Sequence, residues 1–118
     1  MRPLALVLAI LAGASRATAG APDGARIYAE RCSGCHGDDG RGDGPAAAAI
    51  IPPPKNFRDA AFWKGRTVEQ LRTIVTKGKP STMMAPFEGV LTSAEIDAVV
   101  EYVRHFDPSA GVPAAAPK

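Results

Sequence analysis

The 118-residue sequence has little of several residue types, and each scarcity argues against a class of protein. It contains two cysteines and two histidines, with His105 far from the other three, so the four protein ligands of a structural zinc site are hard to assemble. No apolar stretch reaches the roughly 20 residues that a membrane-spanning helix requires. No basic stripe with interleaved aromatic residues occurs, which argues against binding of nucleic acid.

Residues 1–19 have the pattern of a secretory signal peptide. Arg2 supplies a short positive segment, residues 4–11 are an unbroken apolar run, and Ala17-Thr18-Ala19 is a small-x-small cleavage signal. An uncleaved anchor is the alternative, but the apolar run is too short to span a bilayer. We expect cleavage after Ala19 and a periplasmic mature protein that has no membrane span.

Cleavage would change the charge and the chemical surroundings of the chain. The formal charge of +2 includes Arg2 and Arg16, the only charged residues before Asp23, so the mature chain is nearly neutral. Export places the two cysteines in an oxidising compartment, where free thiols rarely persist unless they are used. The mature domain is small and rich in Gly, Pro and Ala, so we expect a cross-link or a cofactor to complete its core.

Cys32-Ser33-Gly34-Cys35-His36 matches the C-x-x-C-H pattern at which a c-type haem is attached. On one helical turn, positions i and i+3 project the same way, so both thiols can form thioethers with the vinyl groups along one porphyrin edge. His36, next to the second anchor, can give a ring nitrogen to the iron. A dithiol redox pair would need a βαβ unit around it, and a structural disulfide remains open in an exported protein. Neither alternative explains the histidine.

Three other segments have the periodicity and the end signals of helices. Residues 23–33 begin with Asp23 as a plausible N-cap, and their apolar face ends at the first cysteine, Cys32. Residues 67–77 and 92–107 each open with a capping-box pattern and stop before a glycine or a proline. The apolar faces predicted for the three helices are Ala25, Tyr28, Ala29 and Cys32; Leu71, Ile74 and Val75; and Ile96, Val99, Val100, Val103 and Phe106.

The segments between these helices are rich in glycine and proline. Residues 37–44 place acidic residues as a calcium loop does, but the closing glutamate is absent, so a turn with positive φ angles is predicted. Pro52-Pro53-Pro54 forces an extended strip. Residues 56–63 are predicted to form a helical turn that carries three aromatic side chains. The Trp63 indole N–H could donate to a haem propionate, or Trp63 could be an ordinary core residue.

The order of these features resembles that of the class I c-type cytochromes, specifically the small bacterial monohaem type. The attachment motif lies near the mature N-terminus, and a Pro-rich middle, a methionine loop and a closing helix follow. The resemblance implies an all-α cytochrome c fold, in which short helices and loops wrap around one covalently bound haem c. We therefore expect a signal peptide at 1–19, a monohaem cytochrome c domain at 20–107 and a disordered Pro/Ala-rich tail at 108–118.

The resemblance also implies roles for particular residues. Cys32 and Cys35 become the thioether anchors and His36 the proximal ligand of the iron. Pro45 matches the family proline whose carbonyl accepts a hydrogen bond from that histidine and so orients it.

The methionine loop supplies the distal ligand in the same family. The family motif Thr-x-Met-Pro-x-Phe aligns with residues 82–87 and places Met84 in the ligand position, with Ala85 where proline is commoner. That departure leaves Met83 as an alternative, because methionine is flexible. His105 is a weaker candidate, since it lies in a helix whose apolar face already has a packing role.

The resulting hypothesis is outer-sphere electron transfer by Fe(III)/Fe(II), without enzymatic activity. His/Met ligation gives a relatively high potential and closes the sixth position to substrate. Redox partner proteins are expected to dock transiently at the haem edge, where a modest positive rim could help. The candidates for that rim are Lys55, Lys64, Lys77 and Lys79. The alternatives are a haem enzyme or a gas or peroxide sensor with an open sixth site, and a haem subunit of a larger oxidase or dehydrogenase.

Overall fold

The computed structural model describes residues 21–109, and within that range the chain is helical, with no β-strand. The predicted all-α fold is therefore confirmed. The predicted signal peptide at 1–19 and residues 110–118 of the predicted tail lie outside the described residues. The elements are α1 (Gly24–Arg31), α2 (Ser33–His36), a 3-10 turn (Ala47–Ala49), α3 (Ala60–Trp63), α4 (Val68–Lys77) and α5 (Ser93–Arg104).

The hydrophobic core lies where α1 and α4 pack against α5. Tyr28 on α1 and Val99 on α5 are its most deeply buried large side chains, with 2% and 1% of their surface exposed. Burial of this kind stabilises a fold by about 1.5–3 kcal/mol for each large apolar side chain. The other buried members are Ile27, Phe57, Leu71, Leu91, Ile96, Val100 and Phe106. No helix in the described range is long and apolar enough to cross a membrane.

Helix α1 and helix α5 meet at a glycine. A β-carbon at Gly24 would overlap with the carbonyl oxygen of Ala98 and would lie 3.1 Å from the β-carbon of Tyr102. The two backbones can approach this closely only because Gly24 has no side chain. This contact ties the first helix of the described chain to the last one.

The ends of the helices follow local signals in the sequence. Thr67 with Gln70 and Thr92 with Glu95 form complete capping boxes at the starts of α4 and α5, as predicted. Asp23 caps α1 by accepting from the backbone N–H of Arg26 at 3.2 Å. Helices α1 and α5 both end earlier than predicted, at Arg31 and Arg104, and residues 56–59 precede α3 as a turn.

The buried face of α1 differs from the predicted one. The structure buries Ile27 and Tyr28, whereas Ala25 and Ala29 are exposed. The reason is the contact at Gly24, because it turns the face that contains positions 24, 27 and 28 toward α5. Two alanines have too little apolar surface to compete with an isoleucine and a tyrosine for the core.

Candidate cofactor site

The Cys32–His36 motif lies at the junction of α1 and α2. Cys32 ends α1 and begins α2, and the backbone N–H groups of Cys35 and His36 both donate to the Cys32 carbonyl oxygen, at 3.3 and 3.0 Å. Both cysteine side chains are half-buried. The two thiols therefore belong to one helical turn, as the sequence predicted, and they are not joined to each other as a structural disulfide.

Burial shifts the protonation of two side chains in this motif. It raises the pKa of the Cys32 thiol to about 11, and the nearby Cys35 adds a smaller contribution in the same direction. Burial lowers the pKa of His36, and a hydrogen bond to the Lys55 carbonyl opposes that effect in part. At neutral pH the imidazole is therefore neutral, which is the form of histidine that binds metal ions.

The imidazole of His36 is oriented by a segment about twenty residues further along the chain. Its Nδ1 atom lies 3.3 Å from the Lys55 carbonyl oxygen, and its ring stacks on Phe57 with 4.4 Å between centroids and 19° between planes. A proton donated from Nδ1 leaves the lone pair of Nε2 free for a metal ion. The donor set of the motif, two free thiols and an available imidazole nitrogen, thus fits a covalently attached haem.

In this structure the Lys55 carbonyl faces the His36 ring, and the acceptor role implied for Pro45 stays a prediction. Pro45 is exposed and lies just before the 3-10 turn, whereas the Lys55 carbonyl occupies the position next to Nδ1. The physical reason is a backbone hydrogen bond of 2.6 Å from the Phe57 N–H to the Gly40 carbonyl. That bond holds residues 55–57 against the motif.

A glycine-rich loop, residues 37–44, folds back on the motif. The N–H of Gly42 donates to the His36 carbonyl at 2.7 Å, and the N–H of Gly44 donates to the Cys35 carbonyl at 3.1 Å. The φ angles are positive at Gly37, Gly40 and Gly42, as predicted for this turn. The structure thus explains the glycines as backbone requirements next to the attachment site.

Tyr28 connects this loop to the core. Its hydroxyl donates to the Gly37 carbonyl at 2.6 Å, and its ring lies 5.2 Å from those of Tyr102 and Phe106. Burial is the main cause that raises the pKa of Tyr28, so the hydroxyl remains protonated. Periodicity had indicated only that Tyr28 is a core residue. The hydroxyl contact next to His36 depends on the tertiary fold.

Trp63 is half-buried, and its N–H has an acceptor within the protein. The indole Nε1 donates to the Phe57 carbonyl at 2.7 Å, as a core tryptophan would, and the alternative bond to a haem propionate stays a prediction. The indole also packs edge to face on Phe62, with 5.0 Å between centroids. Trp63 thereby supports Phe57, which in turn stacks on His36. The stacking of Phe57 on His36 was missed because the two residues are far apart along the chain, and no spacing in the sequence indicates that contact.

The two adjacent methionines occupy different environments. Met83 is 70% exposed, whereas Met84 is half-buried in the loop that follows α4. His105, the weaker candidate for a distal ligand, is exposed at the C-terminal cap of α5. The structure therefore brings Cys32, Cys35 and His36 together in one motif and leaves Met84 as the more enclosed thioether of a separate loop.

A surface cavity of about 620 Å³ lies beside α4, but it contains none of the predicted haem-binding residues. Its walls carry Lys64, Arg66 and Glu69, and Ile74 provides an apolar side chain. The chemistry of the chain is thus concentrated at the motif, where the donor atoms are, and not at this cavity.

Comparison with known proteins agrees with the donor set. Residues 19–103 match the family described as cytochrome c oxidase, cbb3-type, subunit III. The chain belongs to this c-type cytochrome family. It is a small monohaem class I c-type cytochrome, and it carries one haem c attached through Cys32 and Cys35. The sequence prediction of fold, family and cofactor is confirmed.

The relatives of this cytochrome differ greatly in length. It is 36% identical to the dihydro-heme d1 dehydrogenase of Pseudomonas aeruginosa over 110 residues, which cover 92% of the cytochrome but only 20% of that protein. It is 32% identical to cytochrome c55X of Paracoccus denitrificans over 112 residues, which cover 87% of the cytochrome and 94% of its relative. The cytochrome thus spans about a fifth of the dehydrogenase and nearly all of cytochrome c55X.

Solved structures include a relative of similar extent. The KustC0563 c-type cytochrome shares 34% identity with this cytochrome and has a TM-score of 0.59. The match covers 71% of this chain and 96% of that one. Nearly the whole of that solved chain therefore corresponds to part of this cytochrome.

Proposed function

We propose that this cytochrome is a periplasmic electron carrier in which His36 and Met84 are the axial ligands of the haem iron, and that it catalyses no reaction of its own. The observation that carries the proposal is the contrast between the half-buried Met84 and the 70% exposed Met83. A thioether that is to complete a coordination sphere inside the fold has to be withdrawn from solvent. Of the two adjacent methionines, Met84 is the less exposed and comes closer to that condition.

When bound, the haem supplies a one-electron Fe(III)/Fe(II) couple, whose potential is raised by a thioether ligand. The chain positions the two ligands. On the proximal side, the Lys55 carbonyl and the Phe57 ring orient His36 and favour the tautomer with a free Nε2. On the distal side, Met84 would hold the remaining position of the iron and would keep exogenous ligands, whether substrate or gas, from binding there. That closure favours a relay over an enzyme or a sensor.

A single pair of variants tests the axial ligation. Met84→Ala removes the proposed ligand, and Met83→Ala is the matched control in the next position. We expect Met84→Ala to lower the reduction potential by roughly 100 mV or more, within the ~0.8 V range that axial ligands set. We also expect the reduced Met84→Ala protein to bind CO at neutral pH, whereas the Met83→Ala protein behaves as the wild type.

Two results would contradict the relay. Ready binding of CO by the reduced wild-type protein would favour an open sixth site, as in a haem enzyme or a gas sensor. Identical potentials and spectra in the Met84→Ala and wild-type proteins would exclude Met84 as the ligand. A pyridine haemochrome spectrum of each variant confirms that the haem remains covalently attached, so a loss of haem is not mistaken for a change of ligand.

Partner docking is proposed at a positive rim on the haem edge. Lys77, one of the four lysines predicted there, is paired with Glu88 at 2.8 Å, so its charge is largely compensated. Lys55, Lys64 and Lys79 are exposed and make no ion pair within the described residues. These three lysines would attract an acidic redox partner, and the association would weaken with rising ionic strength.

The Pseudomonas aeruginosa relative supports a second candidate function. Almost the whole of this cytochrome matches a fifth of a protein named as a dehydrogenase. A chain of this type could therefore serve as the haem subunit of a larger oxidoreductase. Native mass measurement of the exported fraction separates the two cases: a free carrier elutes at the mass of one chain with its haem, whereas a subunit elutes with its complex.

A further inference from the structure

We infer that the Thr82 hydroxyl is the positioning group that keeps the Met84 loop, residues 79–86, closed. The hydroxyl thereby governs how readily an exogenous ligand displaces Met84 from the iron. The inference rests on the proposed ligation by Met84. It goes beyond that ligation because it assigns control of the distal position to a residue that does not contact the metal.

The hydroxyl forms two hydrogen bonds within the loop. The Oγ1 atom of Thr82 donates to the Lys79 carbonyl at 2.7 Å and accepts from the backbone N–H of Met84 at 3.1 Å. One side chain therefore links the start of the loop to the residue that carries the ligand. Within residues 79–86, all other hydrogen bonds that the structure describes join backbone to backbone.

The backbone around Met84 is arranged to fit this contact. The N–H of Lys79 donates to the Met84 carbonyl at 3.2 Å, so the loop closes on itself at Met84. Gly78, with φ at +75°, allows the approach, since a β-carbon there would lie 2.8 Å from the Met84 carbonyl oxygen. Ser81 has φ at +64°, which a residue with a side chain seldom adopts unless its surroundings hold it there.

The loop is also attached beyond Met84. The N–H groups of Phe87 and Glu88 donate to the carbonyls of Val75 and Thr76 on α4, at 2.9 and 3.1 Å. Residues 79–86 thus leave the end of α4 and return to it. Between those two attachments, the N–H of Met84 depends on the Thr82 hydroxyl alone.

This arrangement matters because of the flexibility of methionine. Its side chain has three rotatable bonds, so the position of the sulfur is defined only if the backbone that carries it is fixed. Loss of the hydroxyl would free the N–H of Met84 and increase the fraction of molecules with an open loop. An exogenous ligand binds only to the open form, so its apparent affinity rises in proportion to that fraction.

The experiment is a titration of the oxidised, haem-loaded protein with imidazole, followed by absorbance. Thr82→Val removes the hydroxyl at nearly constant shape, and Thr82→Ser restores it. Thr76→Val is the matched control, because the Thr76 hydroxyl also donates at 2.7 Å, to the Arg72 carbonyl, but lies within α4. Met84→Ala gives the affinity for imidazole when no methionine at position 84 competes for the iron. Thr82→Ala replaces Thr82→Val if the valine protein does not fold.

We expect Thr82→Val to bind imidazole about fivefold to tenfold more tightly than the wild type, the effect of losing a hydrogen bond that closes the loop. Thr82→Ser and Thr76→Val should stay within about twofold, since neither loses a hydrogen bond inside the loop. Equal affinities for Thr82→Val and the wild type, with far tighter binding by Met84→Ala, would overturn the role of Thr82 while leaving the ligation intact. If Met84→Ala itself binds no more tightly, the proposed ligation is wrong.

Discussion

Two parts of this cytochrome are held by different forces. The helical frame, formed by α1, α4 and α5, contains six of the nine buried apolar side chains, and two more flank α5. The ligand loops, residues 37–57 and 78–88, contribute one, Phe57. These loops are held mainly by hydrogen bonds, such as those at Gly37, Lys55 and Met84.

The difference indicates how stability and redox chemistry can be changed separately. Apolar burial in the frame is a shared, cooperative contribution, so damage to it lowers the stability of the whole domain. A hydrogen bond in a loop contributes about 1 kcal/mol, so its loss leaves the domain folded but alters the position of a ligand. Substitutions in the two parts should therefore give different combinations of stability and potential.

The largest effect is expected at the contact between α1 and α5. Gly24→Ala places a methyl group against the Ala98 carbonyl and should destabilise the domain by about 2–3 kcal/mol, the usual cost of overpacking. Gly34→Ala is the matched control, since a β-carbon there has no neighbour within 4 Å. Chemical denaturation of the haem-loaded proteins measures both changes. If Gly24→Ala changed the reduction potential and left the free energy of unfolding unchanged, the division between frame and loops would be contradicted.

An intermediate effect is expected at Tyr28, which joins the frame to the glycine loop. Tyr28→Phe leaves the buried Gly37 carbonyl without its donor and should destabilise the domain by about 1–2 kcal/mol at pH 7. Tyr102→Phe is the control, because that hydroxyl makes no hydrogen bond within residues 21–109. If both variants are equally stable, the Tyr28 hydroxyl contributes nothing.

The same variant has a signature at alkaline pH. The folded-state pKa of Tyr28 is raised above its ordinary value near 10, so its contribution to stability is fully present below that pH and is lost as the pH rises further. The wild type should therefore lose stability more steeply than Tyr28→Phe above about pH 10. Denaturation midpoints at a series of pH values measure the difference. Parallel curves for the two proteins would show that another group controls the alkaline transition.

The smallest change in stability is expected in the first ligand loop, residues 37–57. The same substitution should give a clear change in reduction potential. Phe57→Leu should cost about 1 kcal/mol, as a conservative core substitution does, but it removes the ring stacked on His36 and should shift the reduction potential. Pro45→Ala is the control, because it keeps the backbone carbonyl at position 45 and changes an exposed side chain, so it should leave the potential unchanged. A shift as large in Pro45→Ala as in Phe57→Leu would contradict a specific role for the ring stacked on His36.

Much of the frame could be predicted because its signals are local. A capping box involves side chains and backbone groups three residues apart, so Thr67 with Gln70 and Thr92 with Glu95 specify their helix starts before any packing occurs. The face of α5 was likewise correct, since Ile96, Val99 and Val100 repeat at helical spacing and are all buried. The face of α1 was not, because Gly24 carries no hydrophobic signal and its importance comes from Ala98 on another helix.

By itself, the sequence determined the attachment chemistry, the family and the helical frame, because each of these depends on residues that are close together along the chain. Only the tertiary structure decided which carbonyl meets His36, which acceptor meets the Trp63 indole and which methionine is withdrawn from solvent. The first of these contacts joins residues 19 positions apart, and the exposure of Met83 and Met84 depends on how residues 79–86 return to α4. The geometry of loops without periodicity depends on contacts with residues that are distant along the chain. Such contacts cannot be inferred from the spacing of residues in the sequence.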